Sequence, residues 1–212
     1  MHTTLFRRYT MSRFAKIIVV MIITACSFVY ANPNYYVNIG MSKPFAPDDF
    51  QNHWRSGFNV GLGLGYNFSP KFEIQGEFLY DNFQLDDIAF LNDITGNNDV
   101  YASVAGGGAS LYAVYANFKY LSPIERNTSL TPYIVGSLGL AAQQIAEKKV
   151  TVEEGPYTIP KESQTSPGVG LGIGVEIVMG GRTSFVVEGR FNILFTDETT
   201  VYFPLKLGIV IR

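Results

Sequence analysis

Seven ionisable residues carry the strongest chemical signal in the chain: Glu73, Glu77, Lys119, Glu176, Glu188, Arg190 and Lys206. Each is flanked on both sides by apolar residues or glycine, as in Phe72-Glu73-Ile74 and Leu205-Lys206-Leu207. Successive side chains of an extended chain alternate between faces, so each charge projects away from its apolar neighbours. Charges of both signs on one sheltered face must pair or be hydrated, because an isolated buried ion is too costly. Two kinds of chemistry are open to such a set. Fixed in pairs, the charges form a plug; exchanging partners, they gate a narrow ion path.

Other chemistry-bearing groups give weaker signals. His53 stands beside Trp54, and no serine or carboxylate is placed next to it by sequence. A hydrolase needs a nucleophile within reach of a base. We therefore expect no enzyme activity, and an aromatic at a membrane interface explains Trp54. Asp86-Asp87, Asn92-Asp93 and Asn97-Asn98-Asp99 are rich in oxygen but lack the spacing of a calcium loop, so they read as solvated loop. Gly106-Gly107-Gly108 precedes a strand and no helix, which excludes a phosphate cradle. No catalytic, cofactor-binding or metal-ligating residue is assigned, and no cofactor is expected.

The elements that must hold the seven charges are strands. In Gly57–Phe68, GFNVGLGLGYNF, bulky apolar residues alternate with glycine or asparagine. The same period recurs at Tyr35–Ser42, Ser56–Phe68, Lys71–Asp81, Ser110–Leu121, Thr131–Ala142, Pro167–Val178, Thr183–Phe195 and Thr200–Ile211. Strands of this length exceed the usual five or six residues, and roughly 9–11 tilted residues cross a bilayer. The connections at Lys43–Arg55, Asn82–Ala109 and Gln143–Ser166 are long and polar, whereas Ser69-Pro70 and Gly180-Gly181-Arg182 are tight turns. Long loops at one end and short turns at the other, a rule that only the short Thr196–Thr199 connection breaks, mark an outer-membrane barrel. No segment of helical period appears after residue 31.

The alternation also assigns the faces. A soluble barrel hides its apolar side chains inside and shows polar ones to water. Here the smaller face is largely glycine, which covers a soluble surface poorly but suits a crowded lumen. The large apolar face is left for lipid, and the ladder must close, since an unpaired edge in hydrocarbon costs several kcal/mol per group. Aromatics at the strand ends fit two interfacial belts: Tyr66, Phe68, Phe72, Phe118 and Tyr120 at the short-turn end, Phe58, Tyr80, Tyr112 and Phe195 at the long-loop end. The expected fold is all-β: an eight-stranded antiparallel up-and-down transmembrane β-barrel preceded by a cleaved signal peptide.

Residues 1–31 supply that signal. Arg7, Arg8, Arg13 and Lys16 precede an apolar run at Ile17–Val29, and Val29-Tyr30-Ala31 places cleavage between Ala31 and Asn32. The segment removes four of the 16 basic residues and none of the 18 acidic ones. The single cysteine, Cys26, lies within it, so the mature chain has no thiol chemistry. Ile23-Thr24-Ala25-Cys26 offers a competing reading as a lipidation site. The barrel domain is then 32–212.

Thr131-Pro132-Tyr133-Ile134-Val135-Gly136-Ser137-Leu138-Gly139-Leu140 resembles a strand of the small Gram-negative outer-membrane barrels, the opacity-type and OmpX/OmpA-like porin family. Gly168–Glu176 resembles the strand that follows it, and the resemblance extends over 34–212. It implies Sec export to the cell outer membrane, contact with outer-membrane lipid, and handling by the barrel-assembly machinery. Such members usually end in an aromatic residue, whereas this chain ends Gly208-Ile209-Val210-Ile211-Arg212. The resemblance implies a surface protein whose long loops serve adhesion or envelope integrity. The alternative is a narrow channel for ions or small hydrophobic molecules, of the porin or OmpW type. A monomer is expected, with a host or surface ligand at the loops and no nucleic acid, in keeping with a formal charge of −2.

Overall fold

The computed structural model describes residues 32–96, 102–122, 129–152 and 155–212. The signal segment, including Cys26 and Ala31, lies outside the described residues, as do Asn97-Asn98-Asp99. Eleven strands follow in chain order: β1 (Asn34–Ala46), β2 (Gly57–Ser69), β3 (Phe72–Phe83), β4 (Ser103–Gly106), β5 (Ala109–Leu121), β6 (Leu130–Ile145), β7 (Lys148–Val152), β8 (Gly155–Ile159), β9 (Glu162–Gly180), β10 (Thr183–Leu194) and β11 (Thr200–Ile211). Eight of them close into a barrel in the order β1-β11-β10-β9-β6-β5-β3-β2. The seam joins the ends of the chain, with Tyr35 opposite Ile211 and Ala46 opposite Val201. Every neighbouring pair in the ring is antiparallel.

The barrel strands are long enough to span a bilayer, at about 3.3 Å per residue and a tilt of about 40°. Their outward side chains are apolar and exposed, reaching 67% for Leu171 and 70% for Ile173. Burial of the inward set identifies the other face as the interior. Aromatics line up at both ends of the outer face. Phe68 stacks on Phe72 at 5.8 Å, and Phe72 meets Tyr120 at 5.2 Å near the short turns. Phe58, Tyr80 and Tyr112 form a second row at 5.9 and 5.0 Å near the long loops.

The turn between β9 and β10 uses Gly180 and Gly181 at φ 129° and 59°, a region that β-carbons disfavour. Strand glycines have a different reason. A β-carbon on Gly139 would stand 2.0 Å from the Val114 carbonyl oxygen, and one on Gly170 would stand 2.5 Å from Asn192 Oδ1. The glycine-rich faces are therefore crowded by backbone and side chains of the neighbouring strands.

The long connections depart from the expectation of solvated loops without helices. The first contains α1 (Asp48–His53) and the second α2 (Asp87–Thr95). Strands β4, β7 and β8 form a separate three-stranded sheet. With six and nine residues, both helices are too short for a hydrophobic period to stand out. The local stop signals of α2 were present: Asp86 accepts from the Ala89 N–H at its start, and Gly96 ends it at φ 63°.

Candidate functional site

Two neighbouring regions of the interior hold the residues of interest: a charged network in the lumen and an apolar-cored cap above it. The network centres on Glu77 from β3. Its Oε2 receives Arg190 Nη2 at 2.5 Å and Asn117 Nδ2 at 2.9 Å, and its Oε1 receives Lys206 Nζ at 2.7 Å and Asn38 Nδ2 at 3.3 Å. Lys206 also lies 2.6 Å from Glu188 Oε1, and the Tyr133 hydroxyl donates to Glu188 Oε2 at 2.9 Å. Arg190 Nη1 donates to Asn117 Oδ1 at 2.8 Å and to Ser137 Oγ at 2.5 Å. Two carboxylates thus face two cations, with amides and hydroxyls adding further bonds and Arg190 Nε left without an acceptor among the described residues. Pairing of this kind offsets much of the cost of burying charge in a low dielectric.

The other three sequence-selected charges stand nearer the short turns. Glu73 lies 3.5 Å from Lys119 Nζ, accepts from Asn34 at 3.0 Å, and has the Tyr36 hydroxyl 2.6 Å from Oε1. Lys119 sits over the Tyr36 ring at 4.0 Å. Glu176 does not join the central network; it pairs with Arg212 Nη1 at 2.5 Å, which also donates to Ser184 at 2.9 Å. Sequence reasoning missed Arg212 because nothing in the pattern brings the last residue back over the lumen mouth. It also missed Asp81, which is buried and accepts from Ser42, itself bonded to Asn59 at 2.9 Å. Asp81 follows Glu73 and Glu77 at even spacing on β3, so the period sets its inward direction but not its partner. Beside the network a gap of about 20 Å³ remains, room for roughly one water.

Toward the long loops the lumen turns apolar. Leu79, Phe83, Leu111, Leu194 and Tyr202 form one continuous core with Phe50, Trp54, Leu85, Phe90 and Val150 from the three long loops. Phe50 packs edge-on to Phe83 at 5.1 Å and tilts against Trp54 at 5.7 Å. Trp54 is only 7% exposed, which corrects the expectation that it sits at the membrane interface. Its Nε1 donates to the Gly107 carbonyl at 2.9 Å, and Gly107 N–H donates to the Glu147 carbonyl at 3.1 Å. Through these bonds the first, second and third loops are fastened together. His53 pairs with Asp93 at 3.5 Å and meets the edge of Phe90 at 5.6 Å. Asp86 caps α2 and holds Arg55 at 2.9 Å, so its oxygens have structural work. Among the described residues, no group of three or more His, Cys, Asp or Glu side chains converges on a metal position.

The cap borders an open cavity of about 640 Å³. Asp49, Glu162, Asp197 and Glu198 stand around it, and Gln143, Ser163, Gln164 and Thr200 contribute amides and hydroxyls. Lys148 also lines it while remaining only 8% exposed, its Nζ 4.6 Å from the Trp54 ring and 4.6 Å from the Phe90 ring. Burial pushes the Lys148 ammonium below the usual lysine value, and Glu162 and Asp49 act in the opposite direction.

Comparison with known proteins agrees with this architecture. The model of the family described as outer membrane protein beta-barrel domain matches residues 17–206. A search of curated proteins finds no match. Among solved structures, Neisserial surface protein A is similar over 84% of this chain and 96% of its own, with a TM-score of 0.54 and 15% identity. Ail, the attachment invasion locus protein of Yersinia pestis, covers 84% and 97% at a TM-score of 0.47 and 15% identity. OprG from Pseudomonas aeruginosa covers 84% and 96% at 0.47 and 12%. At these identities the first of the three speaks for the fold alone. With a closed eight-stranded ring, an apolar outer face and a family match over most of its length, this chain belongs to the outer-membrane β-barrel family and resides in the outer membrane of a Gram-negative cell.

Proposed function

We propose that this protein is a surface protein in which the barrel is a closed anchor and the cap of long loops recognises a partner, in adhesion or in support of the envelope. Residues 1–31 direct export and are removed before Asn32, leaving a monomeric barrel. The observation that carries this reading is the continuous core shared by the lumen and three loops. Mobile loops over an open pore need no such core. A platform that presents a fixed surface does. The gap of about 20 Å³ beside the charged network supports the same reading over a channel for ions or small hydrophobic molecules.

The test replaces residues 84–108 and 146–161 with tight turns and compares attachment of cells bearing either protein. We expect attachment to be lost while the shortened barrel keeps the heat-modifiable gel mobility of a folded one. Unchanged attachment by the shortened barrel would overturn the proposal.

A further inference from the structure

The cap cavity contains an imbalance that the fold itself does not use. Lys148 is nine-tenths buried and lines the cavity, yet among the described residues its ammonium has no carboxylate within ion-pair distance and no hydrogen-bond acceptor. The faces of Trp54 and Phe90 are its close neighbours. Aromatic faces hold a cation without satisfying its donors. An ammonium held against aromatic faces at the wall of an open cavity, with no acceptor of its own among the described residues, can take an oxyanion that arrives there.

The carboxylates around the cavity have the opposite preference. Asp49, Glu162, Asp197 and Glu198 are all exposed, four acids against one lysine. They repel a polyanion and favour a ligand whose body is positive. Gln143, Gln164 and Ser163 also line the cavity and carry amide and hydroxyl groups of the kind that peptide groups use, and Thr200 Oγ1 donates to Gln143 Oε1 at 3.4 Å. A volume of about 640 Å³ falls in the range of small-ligand sites.

We infer that the cavity binds the free carboxyl end of a basic peptide, with the terminal carboxylate on Lys148 and the cationic side chains against the acidic rim. The inference rests on the reading of the cap as a recognition surface and names the chemistry of what it recognises. Peptide is favoured over a zwitterionic lipid headgroup because four exposed acids stand around the cavity, more than the single cation of such a headgroup would meet.

Trp54 is the chain's single tryptophan and contacts Lys148, so its emission reports on this site. Full-length protein isolated from the outer membrane in detergent micelles is titrated with tri-lysine bearing a free C-terminal carboxylate, with tri-lysine amide, and with phosphocholine. We expect a saturable emission change with tri-lysine, and binding of the amide weaker by about tenfold, the worth of one charge-assisted contact. Lys148→Met should erase the difference between acid and amide. An Asp197→Asn/Glu198→Gln variant, altered only at exposed positions, should weaken both peptides while keeping their ratio. Equal binding of acid and amide by the unaltered protein overturns the inference, as does tighter binding of phosphocholine or the absence of a saturable change. If titrations are flat while attachment still depends on the cap, this site alone fails; if attachment is also independent of the cap, the proposed function fails with it.

Discussion

Arg190 and Glu77 meet across the full width of the lumen, on strands that stand opposite each other in the ring of eight, with Nη2 and Oε2 2.5 Å apart and both side chains buried. This pair ties two walls that share no backbone hydrogen bond. Removing one member leaves the other charge buried without its partner, which typically costs about 3–5 kcal/mol. Arg190→Met should therefore lower the urea midpoint of the micelle-folded barrel substantially. Glu77→Gln/Arg190→Met should lose less than the sum of the two single changes, because the second no longer strands a charge.

Two glycines of β6 separate crowding from composition. A β-carbon at Gly139 would meet a main-chain oxygen at 2.0 Å, whereas one at Gly136 meets nothing within 4 Å. Gly139→Ala should destabilise the barrel by about 1–3 kcal/mol. Gly136→Ala should stay within about 0.5 kcal/mol of the parent. Temperature dependence of the folded gel band distinguishes them.

The cap should come loose without the barrel. Trp54→Phe keeps the ring but removes the donor to the Gly107 carbonyl, leaving that acceptor unpaired at a cost of about 1–3 kcal/mol. Protease should then nick residues 84–108 and 146–161 faster, while the barrel fragments stay associated and run as folded.

Acid should act on the cap through Asp86. Its hydrogen bond from Arg55, followed by that from the Ala89 N–H, holds its carboxyl below the usual range. A lowered carboxyl contributes stability that is fully present above its unfolded value of about 3.9 and is lost as pH falls through the lower folded value. Amide exchange in α2 should accelerate only below about pH 4, and Asp86→Asn should make exchange there less sensitive to acid.

The eight barrel strands and their faces were legible because lipid outside and a crowded lumen inside impose a period of two on every one of them. Even Gly168–Glu176, nearly half glycine, read correctly as a strand. Partnerships inside the lumen were not legible. Glu77 and Arg190 stand 113 residues apart, and which charges meet depends on register around the closed ring. Arg212 reaches Glu176 across β10, because the register of β11 on β10 and of β10 on β9 sets the end of β11 beside it. The cap was hidden for another reason. Its apolar residues, Phe50, Trp54, Leu85, Phe90 and Val150, are scattered singly through polar segments and become a core only when three loops meet. Short strands such as Lys148–Val152 leave too few residues for a period to show.

Single-channel recording in a planar bilayer tests most directly whether the barrel is a closed anchor. Full-length protein isolated from the outer membrane, with Glu77→Gln and Lys206→Met variants beside it, is confirmed folded by gel mobility and then added at increasing amounts. The account predicts a silent bilayer for the unaltered protein, because ion pairs bridge the lumen and an apolar core covers them. Discrete conductance steps in the unaltered protein that change size in the two variants would contradict it and make the charged network a gate.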